Sequence, residues 1–272
     1  MGDSENYAAL TGRVREKKPL IHHITNYVTV NDCANITLAI GASPIMADAI
    51  GEAADIAAMA NALVLNMGTL NERVIPSMLA AGKSANRQGA PVVFDPVGAG
   101  ASKLRNETVE TLLGEIRMSV IRGNISEMRF VAGLRADTRG VDASSKDTLE
   151  TDALETAKIV AARFQCVAAV TGKTDIVTDG ARSVFIENGH SMLSGLTGTG
   201  CMCASLIGSF CGVSDSAFDA TVAALLVMGI AGEIAFERAG QKGNGSFRAA
   251  LHDAVSMMDG KTLAERAKIH EG

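Results

Sequence analysis

The segment Ser194-Gly195-Leu196-Thr197-Gly198-Thr199-Gly200-Cys201 sets three glycines ahead of an apolar helical stretch. Free N–H groups of a first helical turn, with the helix dipole behind them, form an anion hole that suits a phosphate. The spacing is neither that of a P-loop nor that of a dinucleotide fingerprint. It also suits an ordinary glycine-rich helix start, and spacing alone leaves both readings open. Cys201 falls on the first turn, where N–H dipoles favour a thiolate below the usual pKa of ~8.5. Asp95 ends an apolar run and Glu127 follows another by a short turn, with Arg122 between them in sequence. Two hard carboxylates beside a phosphate suit Mg²⁺, and an arginine can fork onto phosphate oxygens. Taken singly, Asp95 suits the turn before Pro96 and Glu127 suits a helix's first turn. Taken with the anion hole they converge on phosphoryl transfer, which needs a metal, a cationic clamp, an anion hole and a base.

The other thiols and the histidines read as structural. Cys203 is two residues beyond Cys201 and is expected to face away from the site, while Cys166 and Cys211 read as small core hydrophobes. The five histidines form no helical i, i+4 pair, so a zinc site is not expected. His22 and His23, at one end of a first strand, are expected to be structural or solvent-facing.

These residues must be carried by a scaffold, and the chain alternates small-residue helical stretches with short apolar runs. Helices are expected over 53–61, 72–87, 106–116 and 147–164, and strands over 62–65, 91–94, 119–121 and 166–170. That order predicts βαβ units and a mostly parallel sheet with helices on both faces. The runs 175–177 and 183–186 flank Asp179-Gly180, an antiparallel hairpin signal at the sheet edge. Two long helices are expected to fill most of Cys201 to Glu237. The runs end in Asn66-Met67-Gly68, Asp95-Pro96-Val97-Gly98, Arg122-Gly123-Asn124 and Thr171-Gly172-Lys173. All four ends would share the carboxyl edge of the sheet, where open α/β folds bind ligands. Turn chemistry alone explains any one of them.

Composition narrows the class. The 272 residues carry 47 % hydrophobic and 20 % charged residues and 28 glycines, which excludes disorder and a coiled-coil rod. With no linker signal, one domain over 1–272 is expected. A net charge of −5 with scattered lysines and arginines argues against nucleic-acid and anionic-membrane surfaces. The apolar run Val222 to Ala231 is too short for the ~20 residues of a membrane span and reads as a buried helix. Five cysteines, an odd number, and a polar, acidic start at Gly2 to Leu10 predict a reducing, cytoplasmic setting.

Over nearly its whole length the chain resembles the hydroxyethylthiazole kinases of the ribokinase-like superfamily. The likeness runs through His23-Ile24-Thr25-Asn26-Tyr27-Val28-Thr29, Gly41-Ala42-Ser43-Pro44-Ile45-Met46, Phe94-Asp95-Pro96-Val97-Gly98-Ala99, Arg122-Gly123-Asn124-Ile125-Ser126-Glu127 and Thr197-Gly198-Thr199-Gly200-Cys201. The resemblance implies ATP-dependent phosphorylation of the hydroxyl of 4-methyl-5-(2-hydroxyethyl)thiazole in thiamine salvage, with Mg²⁺, by a homotrimer whose sites lie between subunits. By motif position Asn26, Met46, Gly68 and Gly198 would line the thiazole pocket, and Arg122, Asn124, Thr171 and Thr197 would bind ATP. Asp95 and Glu127 would serve the metal, and Gly198, Thr199, Gly200 and Cys201 would form the catalytic anion hole. Across the wider superfamily the last position of that motif is an aspartate base. Cysteine there fits the narrower family and leaves the base's identity open. A hydroxymethylpyrimidine kinase, or a nucleotide-binding protein that has lost turnover, is the alternative reading.

Overall fold

The computed structural model describes residues 3–134 and 146–272. In chain order the first half runs α1 (Asp3–Lys17), β1 (Leu20–Ile24), α2 (Val30–Ile40), β2 (Ser43–Ile45), α3 (Ala53–Met59), β3 (Ala62–Asn66), α4 (Val74–Gln88), β4 (Val92–Asp95), α5 (Lys103–Glu115), β5 (Val120–Asn124) and α6 (Ile125–Val131). It continues α7 (Lys146–Phe164), β6 (Val167–Thr171), β7 (Asp175–Thr178), β8 (Ser183–Ile186), α8 (Thr199–Cys211), α9 (Ala217–Ala239), α10 (Asn244–Ser256), α11 (Gly260–Arg266) and β9 (Ile269–Glu271). The nine strands of the described residues lie in one sheet of order β2-β1-β3-β4-β5-β6-β7-β8-β9. The first six are mutually parallel, and β7, β8 and β9 add antiparallel.

The alternation of a strand decides what covers each face. Ala62 and Val64 of β3 pack with α8 and α9 in one core, while Leu63 and Leu65 pack with α3, α4 and α5 in a second core on the other face. Because both faces are covered, the central strands β3 and β4 are buried at every position and read as continuous apolar runs, while the edge strands β2 and β9 are not. Helix α9 is long and apolar enough to cross a membrane by length and composition, yet 83 % of that stretch is buried inside the fold, against the sheet. This is the buried helix expected at 222–231.

One expectation needs correction, and the alternative left open for the two histidines resolves as structural. Arg122, Gly123 and Asn124 do not follow the fifth strand but form its end, because β6 pairs with β5 through Arg122↔Ala169, Gly123↔Val170 and Asn124↔Thr171. His22 and His23 do not face solvent: both are buried, with His22 Nε2 2.7 Å from the Ala47 carbonyl and His23 Nδ1 3.1 Å from that of Ile21. Burial pulls His23 down to about 4, so it sits neutral in the sheet.

Candidate active site

Six parallel strands end on one edge, and the start of α8 is set against it. Gly198 caps α8 with φ +87°, a left-handed turn in which a side chain would be strained, and a β-carbon there would stand 2.5 Å from Thr29 Cγ2. The first intrahelical bond runs from Met202 N–H to the Gly198 carbonyl, so the N–H groups of Thr199, Gly200 and Cys201 have no partner inside the helix. Gly200 lets the Arg122 guanidinium lie against this turn, since a β-carbon at 200 would meet Nη1 at 2.7 Å. A cation and three free N–H groups thus share one spot, an arrangement that asks for an anion.

Arg122 is held from two sides. Its Nη2 donates to Thr171 Oγ1 at 2.7 Å, that hydroxyl donates on to the Gly123 carbonyl, and Nη1 lies 3.6 Å from Asp95 Oδ1. Two cavities meet here, both lined by Arg122 and Gly200. The larger, about 690 Å³, runs past Thr171, Gly172, Thr199 and Cys203 to an apolar floor of Leu193, Leu225 and Met228. The smaller, about 230 Å³, is lined by Asp95, Val97, Asn124, Glu127, Gly198 and Cys201. Cys203 therefore does not point away from function: on α8 it turns into the larger cavity while Cys201 faces the smaller one. Two residues on a helix differ by about 200° in direction, which here means two different pockets.

The acids differ in how they are held. Asp95 is wholly buried; Asn66 Nδ2 donates to its Oδ2 at 2.7 Å, and its Oδ1 has no hydrogen-bond partner among the described residues. Burial pushes this carboxyl up to about 6; the Arg122 charge pulls it back and Glu127 adds to the rise. Glu127 completes a capping box with Asn124: its N–H donates to Asn124 Oδ1, and its Oε2 accepts from the Asn124 N–H at 2.9 Å. Glu127 Oε1 accepts from the Gly98 N–H at 2.9 Å. Each Glu127 oxygen keeps a lone pair, and Asp95 Oδ1 accepts no hydrogen bond, with only the Arg122 guanidinium 3.6 Å away; this donor set fits Mg²⁺, a hard ion that takes one or two carboxylates and otherwise keeps waters. Among the described residues no group of three or more metal-ligating side chains forms. Asp175 borders the larger cavity, where its Oδ1 accepts from the Gly172 N–H, and burial pushes its carboxyl up to about 6.

Of the residues singled out from sequence, the fold brings together Asn26, Gly68, Asp95, Arg122, Asn124, Glu127, Thr171, Gly198, Gly200 and Cys201. Asn26 Nδ2 donates to Cys201 Sγ at 3.3 Å. The Thr199 hydroxyl turns back to the Leu193 carbonyl while its residue lines the larger cavity. Thr197 is exposed in the turn ahead of α8 and lines neither cavity. Met46 is half-buried just past β2, the outermost strand of the sheet. Sequence reasoning gave two residues no individual role, although it placed the Asn66 end of its strand at the ligand-binding edge. Asn66 ends β3 beside Asp95 and carried the signal of a polar residue closing an apolar run. Arg105 of α5 donates to the carbonyls of Met67, Val97 (2.5 Å) and Gly68 (2.7 Å), stitching together the turns after β3 and β4; nothing local to its sequence marks it.

Comparison with known proteins agrees with this geometry. The model of the hydroxyethylthiazole kinase family matches residues 11–261. A hydroxyethylthiazole kinase of Ruminiclostridium cellulolyticum is 58 % identical over 262 residues, covering 96 % of each chain, and one of Methanocella arvoryzae is 47 % identical with 98 % of each covered. The solved hydroxyethylthiazole kinase of Pyrococcus horikoshii superposes with a TM-score of 0.89 at 38 % identity, over 98 % of this chain and 99 % of that one. An ADP complex of Bacillus subtilis pyridoxal kinase shares the fold alone, at a TM-score of 0.57 and 17 % identity, over 78 % of this chain and 90 % of that one. With the family match spanning the carboxyl edge and the α8 start that build the site, this ribokinase-like chain belongs to the hydroxyethylthiazole kinase family.

Proposed function

We propose that this kinase moves the γ-phosphoryl group of ATP onto the hydroxyl of 4-methyl-5-(2-hydroxyethyl)thiazole, a salvage step of thiamine biosynthesis, and that the whole chain, 1–272, acts as one kinase domain. The observation that carries the reading is the meeting of two cavities at Arg122 and Gly200, with the bare N–H groups of α8 between them. ATP takes the larger cavity, its base over Leu193, Leu225 and Met228 and its phosphates on Thr171, Arg122 and the α8 start, with the γ-phosphate reaching toward Asn124 of the smaller cavity and Thr197 in the exposed turn ahead of α8. The alcohol enters from the side of Asn26, Gly68 and Met46. Its hydroxyl oxygen attacks the γ-phosphorus in line as the bond to the bridging oxygen breaks, and the hydroxyl proton passes to Cys201 Sγ, which acts as a thiolate and ends as a thiol; ADP departs with the bridging oxygen. Asp95 and Glu127 would hold Mg²⁺, which when bound neutralises charge on the phosphate oxygens. Release of ADP should require Mg²⁺ and rise more with hydroxyethylthiazole than with hydroxymethylpyrimidine or ribose. Equal stimulation by all three, or full activity in excess chelator, would sink the assignment.

The pocket is completed by a second copy. Met46 follows the edge strand β2, and Tyr27 (77 % exposed), Val28 (56 %) and Ile50 (58 %) stand bare just past β1 and β2 on the same margin. Large apolar side chains gathered at a substrate pocket's rim support a covered contact. A homotrimer is the assembly proposed; light scattering at a single 28.2 kDa chain with full activity would overturn it. The five buried, unpaired cysteines support work in a reducing cytoplasm.

A further inference from the structure

Asn66 is 2 % exposed at the end of β3 and belongs to a linear chain of side-chain hydrogen bonds, from Asp95 to Cys201, whose direction is fixed by two backbone groups. A backbone N–H only donates. The Gly68 N–H therefore identifies the Asn66 atom 2.9 Å away as Oδ1, and the Thr29 N–H identifies the Asn26 atom 3.0 Å away as Oδ1. With both amides oriented in this way, their Nδ2 groups must face the other partners. Asn66 Nδ2 donates to Asp95 Oδ2 at 2.7 Å; Asn26 Nδ2 donates to Asn66 Oδ1 at 2.9 Å and to Cys201 Sγ at 3.3 Å. The chain cannot run in the opposite direction without leaving an N–H facing an N–H. Cys201 sulfur is thus an obligate acceptor from Asn26, and its remaining valence is left for the smaller cavity.

We propose that Asn66 is a positioning residue for phosphoryl transfer: its carboxamide locks Asn26 so that the Cys201 sulfur takes up the substrate's proton while already held by an N–H, and it ties that orientation to Asp95. The proposal rests on Cys201 as the proton acceptor. The Asn26 N–H fixes the orientation of the resting thiolate; as the sulfur takes up the proton it loses negative charge and that bond weakens, so the gain in kcat comes from a proton acceptor already placed and not from a bond that grows along the reaction. Asn66 reaches Cys201 through Asn26 alone, since no bond joins Asn66 to Cys201; its other bond, to Asp95, does not involve the sulfur.

The test is a double-mutant cycle on the full-length enzyme, with kcat and both KM values measured for Asn66→Ala, Cys201→Ala and the pair. Asn66→Ala should lower kcat by about tenfold, the scale of one well-placed hydrogen bond, with the KM for ATP within about twofold. In the Cys201→Ala background the same change should cost clearly less, at most about threefold, because the sulfur it serves is gone and only the bond to Asp95 is left to lose. An equal loss in both backgrounds, or no loss in either, overturns the proposal and leaves Cys201 in place. A fully active Cys201→Ala enzyme overturns the reading of Cys201 and this proposal with it. If Asn66→Ala does not melt cooperatively, Asn26→Asp replaces it in the cycle. That variant keeps the acceptor for Thr29 N–H and removes the donor to sulfur, so the same coupling must appear, and its absence is equally fatal.

Discussion

The two cavities that meet at Arg122 are built on opposite economies. In the smaller one the side-chain groups are largely held in place: Glu127 is bound by two backbone N–H groups, Asn66 and Asn26 behind it fix Asp95 and Cys201, and the buried side-chain atoms without a hydrogen bond among its described lining residues are Asp95 Oδ1 and Arg122 Nε. The larger one has an apolar floor and open polar sides. Reaction at a phosphorus atom demands donors and charges already in place before the substrate arrives, since reorganising them would consume the rate gain. Holding a nucleotide base demands only area and shape. The division teaches that helix α8 sorts the two tasks by the direction its first-turn side chains take, and each prediction below presses on that division.

Asp95→Asn should have the largest effect. It removes the orphaned carboxylate oxygen proposed to hold the metal, and kcat should fall by about 10³-fold or more. The same substitution tests the cost of that carboxylate in the resting protein. A buried acid raised to about 6 keeps its proton in the folded state while the unfolded chain has released it near 4, so stability from this group is present below pH 4 and is lost as pH rises from 4 to 6. Thermal melts of the unliganded protein across pH 4 to 8 should show that downward slope in the wild type relative to Asp95→Asn, a matter of a few degrees. Buried His23, lowered to about 4, contributes the opposite slope between about 4 and 6.5 in both proteins and cancels in the comparison. Superimposable melting curves would remove the burial penalty from the account.

Cys201→Ser comes next. It leaves the N–H groups of α8 in place and weakens the proton acceptor, so kcat should drop by about 10²-fold with little change in the KM for ATP. Cys201→Asp should retain more activity than the serine variant, because a carboxylate with a reference pKa of ~3.9 accepts a proton at neutral pH. A serine variant with wild-type kcat would strip the smaller cavity of its base and leave it only an electrostatic cradle.

Arg105→Ala sharpens the comparison from outside both cavities. One guanidinium closes on three carbonyls in the turns after β3 and β4, which carry Gly68 and Gly98. Releasing them should raise the KM for the thiazole by about tenfold and lower the melting temperature by a few degrees, with the KM for ATP nearly unchanged. Equal damage to both KM values would show that the two cavities share one frame.

How far the sequence foretold this arrangement varies with how local each signal is. Strands β3 to β6, the β7–β8 hairpin and the two apolar helices were legible because each is a short apolar run or a long apolar stretch bounded by its own turn residues. Strand β9 was not: Ile269–Glu271 is three residues long and is a strand only because Val184, Phe185 and Ile186 lie alongside it. Asp95, Glu127, Arg122 and the Gly198 to Cys201 turn stood out as charged or glycine residues at strand and helix ends. Arg105 joins a turn 8 residues before it to one 37 residues before it, which no local pattern shows; Asn66 showed only as a polar residue closing an apolar run, since its role comes from Asn26 and Asp95, distant in sequence. Cys203 was misread because direction around a helix is visible in sequence, but what lies in that direction is not.

Cys203 also supplies the smallest and most discriminating expectation. It sits one helical half-turn from Cys201 and lines the larger cavity beside Arg122, yet burial pushes its thiol up to about 12, so it stays protonated at neutral pH and has no proton to accept or give there. Arg122 pulls that value down and the nearby Asp175 and Asp95 charges push it back, leaving burial in command. A serine at 203 keeps a small uncharged donor in nearly the same volume. The wall that faces ATP should therefore shift by little: kcat unchanged, the KM for ATP raised by less than about threefold, and the pH profile of kcat superimposable on the wild type. The same substitution two residues earlier should cost about 10²-fold, so the pair weighs direction on α8 against chemistry of the sulfur atom. Steady-state kinetics of the two serine variants side by side decide it. A Cys203→Ser enzyme as slow as Cys201→Ser would mean that both thiols serve one continuous site and that the boundary at Arg122 does not separate binding from reaction.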